Sequence, residues 1–181
     1  YLEIQENIKS PRVALINIGS EEGKGNELSR SAYPLLGAHI DNFVGNIESR
    51  YFLNGDVDVV VCDGFTGNII LKLTEGIFKN ITEFLKESLS SNKMDTSQLM
   101  PILGDLKKKY DYEEVGGTPI LGINGIVMKC HGSSSKRSIK NAIIAVKKIH
   151  EANLINKIAS RMSKHMDIFE ENPTINETQT A

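Results

Sequence analysis

A carboxylate, two glycines and two polar side chains occur together in one short segment, Asp63-Gly64-Phe65-Thr66-Gly67-Asn68. Glycines let the backbone approach a ligand closely, and the first turn of a helix presents unpaired N–H groups to an anion. Thr66 or Asn68 can cap such a helix and offer polar atoms to a substrate. The segment therefore indicates an anion site, although an ordinary well-capped strand-to-helix connection has the same composition.

A second glycine-rich segment lies earlier in the chain, Gly19-Ser20-Glu21-Glu22-Gly23-Lys24-Gly25-Asn26-Glu27. Its backbone can wrap around an anion while Lys24 supplies a point charge. The GxxxxGK[ST] spacing of a Walker loop is absent from this segment. A solvated surface loop is the alternative interpretation.

A third polar turn, His131-Gly132-Ser133-Ser134, precedes a predicted helix with basic residues in its first turns. Positive side chains are unfavourable at the positive end of a helix dipole, which suggests that they face a negative ligand or partner. The alternative is that Ser133 or Ser134 only caps the helix and that His131 is a packed strand end. The basic residues are Lys136, Arg137 and Lys140.

Each of these turns follows a short apolar run that is typical of a strand, at residues 13–18, 57–62 and 126–130. If the three strands are parallel, their carboxyl ends meet at one edge of the sheet, and the turns together form a pocket for phosphate. A further short strand is predicted at residues 42–45. Asn124-Gly125 is a strong signal for a two-residue hairpin turn before the last of these strands.

Helical spacing of apolar residues follows the turns, from about residue 26 to 36, from near 68 to 88 and from 139 to 149. Pro34 is expected to kink the first helix or to restrict it to its N-terminal turns. The alternation of strands and helices predicts an α/β fold.

Composition limits the possible partners. Apolar residues make up 40% and charged residues 24% of the chain, and 21 basic against 23 acidic residues give a net charge of −2. This balance offers no electrostatic case for nucleic acid. The two cysteines, Cys62 and Cys130, lack metal-ligand spacing, so we expect reduced thiols, no metal and a cytoplasmic protein.

Four segments are expected along the chain: the end of a helix at residues 1–11, an α/β domain at 12–150, a C-terminal helix at 151–171 and a disordered tail at 172–181. The opening residues are not those of an initiating methionine, which suggests a fragment. Residues 87–106 are apolar but irregular, so they fit a dimer contact, a membrane-surface wedge or a packed helix hairpin.

Four motifs stand out along the chain: Gly19 to Glu27, Asn42-Phe43-Val44-Gly45-Asn46-Ile47-Glu48, Asp63 to Asn68 and Lys129 to Ser134. Together they closely resemble the phosphate acyltransferases of bacterial phospholipid synthesis, the PlsX family. The resemblance covers about residues 12–150 and only the C-terminal half of the family's chain. This sequence departs from the family pattern at Pro34, Val115, Cys130 and Ser135.

The resemblance implies a three-layer αβα fold like that of isocitrate and isopropylmalate dehydrogenases. It also implies a homodimer, peripheral association with the inner face of the membrane, and transfer of a fatty acyl group from acyl carrier protein to inorganic phosphate, without a cofactor or a metal. A short-chain phosphate acetyl- or butyryltransferase that uses coenzyme A is an alternative, as is a noncatalytic half-domain that binds phosphate or dimerises.

In such a reaction phosphate is itself the nucleophile and a thiolate leaves readily, so no strong base is required. We assign Lys24 to phosphate or oxyanion charge, Asn68 to an oxyanion hydrogen bond, and Asp63 to the orientation of Lys24 or of a loop amide. Residues 107–109 or the basic residues after Ser134 are candidates for docking the acidic carrier protein, and residues 87–106 for the membrane contact. The substrate-binding residues are Gly25, Asn26, Gly64, Thr66, Gly67, His131, Gly132, Ser133 and Ser134.

Overall fold

The computed structural model of the chain describes residues 1–91, 101, 104, 105 and 115–163. Contacts divide the chain into two compact units, one of Ile8–Tyr110 and one of Tyr1–Asn7 with Asp111–Ala181. Most of the predicted membrane contact at residues 87–106, the lysines at 107–109 and the predicted tail at 172–181 lie outside the described residues.

The unit Ile8–Tyr110 contains a parallel sheet of three strands, β1 (Val13–Asn17), β2 (Phe43–Glu48) and β3 (Val59–Val61). Their order is β2-β1-β3, so β1 lies between its two neighbours. The centre of β1 is buried on both faces of the sheet, as its continuous apolar run predicted. The α/β prediction with a parallel sheet is therefore confirmed.

Two strand boundaries differ from the prediction. β1 ends at Asn17, and Ile18 is 81% exposed instead of buried. β2 extends to Glu48 because its residues 46–48 pair with residues 15–17 of β1. Pairing with the neighbouring strand sets these limits, and local hydrophobicity alone does not reveal it.

Helix α2 (Glu27–His39) returns the chain from β1 to β2, and its N-cap is Asn26, whose side chain accepts a hydrogen bond from Ser29 N–H. The helix continues past Pro34 to His39, so the expected restriction to the N-terminal turns is wrong. A proline removes one backbone donor, and packing can offset that loss. The Tyr33 ring meets Phe43 of β2 edge to face, with ring centroids 5.3 Å apart.

Helix α3 (Gly64–Ser91) follows β3 directly and begins earlier than the predicted start near Asn68. Its apolar residues do recur at helical spacing, and Ile70 packs against the core of Ala14, Ile16 and Ile47. Further along the helix the apolar residues Leu73, Ile77, Ile81 and Phe84 are exposed.

The other unit contains helix α1 (Leu2–Gln5), strands β4 (Thr118–Ile120) and β5 (Val127–Lys129), and helices α4 (Lys136–Glu151) and α5 (Leu154–Met162). β4 and β5 form the predicted hairpin, but the loop spans Leu121 to Ile126 and is longer than the expected two-residue turn. β5 therefore pairs antiparallel with β4 and does not belong to the parallel sheet of β1, β2 and β3. Of the three strands that precede the predicted turns, only β1 and β3 pair with each other, and they are parallel.

None of the helices in the described part of the chain has both the length and the apolar character needed to cross a membrane.

Candidate active site

A cavity of about 860 Å³ lies at the carboxyl ends of β1 and β3. The chain leaves β1 through α2 towards β2, while β3 pairs on the opposite side of β1, so the cavity lies where the direction of connection changes. Ligands of open α/β sheets bind in such crevices. Two of the predicted turns contribute to its lining, through Gly25 and Asn26 of the first and Asp63 and Thr66 of the second.

Most of the cavity lining is apolar, whereas its polar groups come from the strand ends and helix starts. The polar side chains are those of Asn17, Asn26, Ser29, Ser49, Asp63 and Thr66, and the apolar ones include Leu15, Ile16, Ile18, Leu28, Ala32, Val61 and Ile70. An apolar cavity with a few polar groups suits a ligand that has an apolar part and a polar or charged part.

The turn after β1 carries Lys24 directly before Gly25, which lines the cavity, although the Lys24 side chain is not itself part of the lining. The Lys24 side chain is half exposed, and its Nζ lies 3.9 Å from Glu21 Oε1. An ion pair between exposed side chains contributes little free energy, so an anion of higher charge can compete with Glu21 for the ammonium. Lys24 can therefore supply positive charge to a ligand at this edge of the sheet.

Gly25 is required by the shape of this turn. Its φ is 97°, in the region that favours glycine, and a Cβ there would overlap Ser29 Oγ and Asn17 Oδ1. The Gly25 carbonyl accepts a hydrogen bond from Arg30 Nη1 at 2.6 Å. Close packing thus holds the backbone beside Lys24 in one conformation.

The turn after β3 is capped by Asp63, and not by Thr66 or Asn68 as its composition had suggested. Asp63 Oδ1 accepts a hydrogen bond from Thr66 N–H at 2.8 Å, and Asp63 Oδ2 accepts one from the Thr66 hydroxyl at 2.6 Å. The first helical bond follows, from Gly67 N–H to the Asp63 carbonyl. The bonds from the Thr66 hydroxyl and then from its N–H lower the pKa of Asp63, which stays ionised as a helix cap.

We expect the Asp63 cap to make part of the folding stability depend on pH. Because the folded-state pKa is below the ordinary 3.8, this contribution is fully present above that value and is lost as the pH falls through the folded-state pKa. Asp63→Asn retains an N-cap oxygen but does not titrate, so its stability should fall less than that of the wild type below pH 4. Thermal unfolding followed by circular dichroism between pH 6 and 2.5 measures the difference. Thr66→Val should remove part of the same pH dependence, and identical profiles for all three proteins would contradict the assignment.

Asn68 lies in the second turn of α3 and is exposed, and Gly64 and Gly67 flank Thr66 in the first. A Cβ at Gly67 would lie 3.0 Å from Cys62 Sγ, so this glycine allows the helix start to pack on the end of β3. Burial raises the pKa of the Cys62 thiol, which is free and partly buried.

The third predicted turn belongs to the other unit. His131 Nδ1 lies 2.7 Å from Ser133 Oγ, and the Ser133 N–H donates to the same nitrogen at 3.3 Å. The helix cap is Ser135, and not Ser133 or Ser134.

Gly116 and Ser138 fix the start of α4 beside this turn. Gly116 has a φ of 83°, and a Cβ there would overlap the backbone of α4 at Ala142. Ser138 is fully buried, and its Oγ lies 3.1 Å from the Gly116 carbonyl and 3.3 Å from Ser134 Oγ. Gly132 lies between His131 and Ser133 in the same turn, and a Cβ there would meet open space.

Of the predicted site residues, the cavity lining thus includes Gly25, Asn26, Asp63 and Thr66. Lys24, Gly64, Gly67 and Asn68 belong to the same two turns, and residues 131–134 form a turn of the separate unit. Sequence reasoning did not single out Asn17, Asn46 or Arg30, which bind the backbone of the Lys24 turn. A polar amide inside or at the end of an apolar strand was the available signal for the two asparagines. No group of three or more metal-ligating side chains occurs among residues for which the structure gives positions.

Comparison with known proteins agrees with the four motifs. Residues 1–157 match a family model described as "Fatty acid synthesis protein". The phosphate acyltransferase of Clostridium acetobutylicum is 46% identical over 167 residues, and that of Clostridium perfringens strain SM101 is 45% identical over 168. Each alignment covers 91% of this chain and 50% of the relative, so the chain spans about half the length of these curated relatives. The chain belongs to the fatty acid synthesis protein family, the PlsX family of phosphate acyltransferases.

Proposed function

We propose that the complete natural protein carrying this chain transfers a fatty acyl group from acyl carrier protein to inorganic phosphate. The product is an acyl phosphate for phospholipid synthesis. The relatives named phosphate acyltransferase support acyl transfer to phosphate. The observation that carries the proposal is the apolar cavity whose polar side is formed by the Lys24 turn and the N-terminus of α3.

This cavity matches the two parts of the reacting system. Its apolar lining suits an acyl chain, and the two turns offer a lysine charge and helix-start amides to phosphate. A site for a charged ligand alone would gain nothing from the many apolar side chains that line it.

The reaction requires orientation more than acid or base chemistry. An oxygen of phosphate attacks the thioester carbonyl carbon, and the carbonyl electrons move onto oxygen to give a tetrahedral oxyanion. When the carbonyl re-forms, the C–S bond breaks and the thiolate leaves with the bonding electrons. Because thiols ionise near pH 8.5, this leaving group needs little assistance.

The chain's residues then have separate roles. Lys24 balances the charge of phosphate and of the oxyanion, and Asn68 donates a hydrogen bond to the oxyanion. Asp63 orients the Thr66 amide and does not act as a base, because both of its carboxylate oxygens already accept hydrogen bonds from Thr66. Within the unit Ile8–Tyr110, substrate binding is assigned to Gly25, Asn26, Gly64, Thr66 and Gly67. The turn of the other unit, His131, Gly132, Ser133 and Ser134, is a separate candidate for binding phosphate.

The resemblance supports further parts of the proposal. They are the isocitrate and isopropylmalate dehydrogenase-like three-layer fold, the α/β domain at residues 12–150, a homodimer, and a cytoplasmic location with peripheral attachment to the inner face of the membrane. The acidic carrier protein requires a basic docking surface, for which residues 107–109 or Lys136, Arg137 and Lys140 at the start of α4 are candidates.

Acyl donors of different length and carrier separate this proposal from its alternatives. With the complete natural protein, we expect acyl phosphate from palmitoyl carrier protein and inorganic phosphate, and a rate at least about 10-fold lower from acetyl coenzyme A because a short acyl group leaves the apolar lining unfilled. Product is measured as acyl hydroxamate, with a reaction lacking phosphate as the control. Faster turnover of acetyl coenzyme A would indicate the short-chain enzyme, and no product from any donor would indicate a noncatalytic domain.

A further inference from the structure

The turn that carries Lys24 is held by side chains from three surrounding elements. Asn46 Nδ2 of β2 donates to the Glu21 carbonyl at 2.8 Å, and Asn17 Nδ2 at the end of β1 donates to the Lys24 carbonyl at 2.9 Å. Arg30 Nη1 of α2 donates to the Gly25 carbonyl at 2.6 Å. Each donor binds a different carbonyl, so together they hold both sides of the lysine.

Asn17 is fixed at both ends of its amide. While its nitrogen donates to the Lys24 carbonyl, its Oδ1 accepts a hydrogen bond from Ile18 N–H at 2.8 Å. Gly25 packs so closely on this amide that a Cβ would overlap Asn17 Oδ1. Neither the asparagine nor the turn can rotate without breaking one of these contacts.

Asn46 shows that the arrangement does more than hold the strand. Its Oδ1 is buried and has no hydrogen-bond partner among the residues that the structure describes. A buried acceptor without a partner destabilises the folded state. An apolar side chain at position 46 would avoid this cost in folding free energy. What the asparagine provides instead is the hydrogen bond from its Nδ2 to the Glu21 carbonyl.

We infer that Asn17 and Asn46 are positioning residues, which place Lys24 for reaction by fixing the carbonyls on either side of it. The inference rests on the proposed function. Asn17 lies at the end of β1 and Asn46 inside β2, and the hydrogen bonds that their side chains donate set the conformation of the turn before any ligand binds. An anion then meets a lysine whose backbone is already in place, which lowers the entropic cost of reaching the reactive geometry.

The first test measures kinetics in the complete natural protein with palmitoyl carrier protein and inorganic phosphate. Asn17→Ala should lower kcat/KM for phosphate by about 10-fold or more, because small displacements of a charge-stabilising group reduce the rate strongly. Its KM for the acyl donor should stay unchanged. Asn17→Asp should not restore activity, because it retains the acceptor for Ile18 N–H but lacks the donor for the Lys24 carbonyl. The matched control is Asn54→Ala, at an exposed turn residue.

Two further readouts separate positioning from a structural role. The effect of Asn17→Ala should disappear in a Lys24→Ala background, since a residue that acts through Lys24 has nothing left to place. Asn46→Leu, which is close in size, should lower kcat/KM for phosphate while leaving the unfolding temperature unchanged or higher. Equal losses with and without Lys24, or rates for Asn17→Ala equal to those of Asn54→Ala, would overturn the inference.

Hydrogen exchange distinguishes a failure of the positioning inference from a failure of the proposed function. Amides at residues 19–26 should exchange faster in Asn17→Ala than in the wild type, whether or not the protein is active. If the wild type makes no acyl phosphate but exchange is faster in Asn17→Ala, the proposed function is wrong, although Asn17 does fix the turn. If the wild type is active and exchange is unchanged, the positioning inference fails alone.

Discussion

Lys24→Ala in the complete natural protein is expected to lower kcat by about 100-fold or more with palmitoyl carrier protein and phosphate. The reason is that two negative species meet in the proposed reaction, phosphate and the developing oxyanion, and the turn after β1 offers one lysine, next to the closely packed Gly25. Loss of that charge raises the energy of the transition state more than that of bound substrate. Steady-state rates at saturating donor and varied phosphate measure the effect.

The matched control is Lys79→Ala, which removes an exposed lysine from the middle of α3, away from both turns. We expect its rate to be close to that of the wild type. A near-normal rate for Lys24→Ala would remove this lysine from the mechanism and leave the helix start as the source of charge stabilisation.

Asn68→Ala is expected to have a comparable effect, also about 100-fold or more in kcat. Asn68 lies in the second turn of α3, close to the helix start that Asp63 caps, and its amide can donate to an oxyanion. A bond made only in the transition state affects kcat more than the KM of either substrate. Asn68→Asp keeps the size of the side chain but replaces the donor by a carboxylate, so its loss should be at least as large.

Asn80→Ala serves as the control for Asn68, because it makes the same change at another exposed position of the same helix. Thermal unfolding of both variants shows whether α3 is intact. If Asn68→Ala raises KM for the acyl donor and leaves kcat unchanged, the residue binds substrate and does not stabilise the oxyanion.

The sheet and its first two turns could be predicted because their signals are local. The apolar run of β1 is buried on both faces of the sheet, and glycine-bearing turns do follow β1 and β3. The exact cap of α3 could not be predicted, because Asp63, Thr66 and Asn68 are all good capping residues. The choice depends on where β3 ends, and that is set by its pairing with β1 from Val13↔Val59 to Leu15↔Val61.

Strand direction was the larger difficulty. The expectation that the last strand joins β1 and β3 in one sheet was not met, since β5 pairs only with β4, in a separate antiparallel hairpin that Asn124-Gly125 had signalled. The sequence also did not reveal the hydrogen bonds that Asn17 and Asn46 donate to the Lys24 turn. Asn46 and the Glu21 carbonyl are distant in sequence, and no periodic pattern marks such a bond.

The glycines of the Lys24 turn differ in how much sequence change they allow. Around Gly23 there is open space, whereas any side chain at Gly25 would meet oxygens that already hold the turn. Substitutions in this turn should therefore be tolerated at Gly23, before Lys24, but not at Gly25, after it. Directed evolution towards a different acceptor anion can therefore introduce side chains at Gly23, whereas Gly25 should be kept.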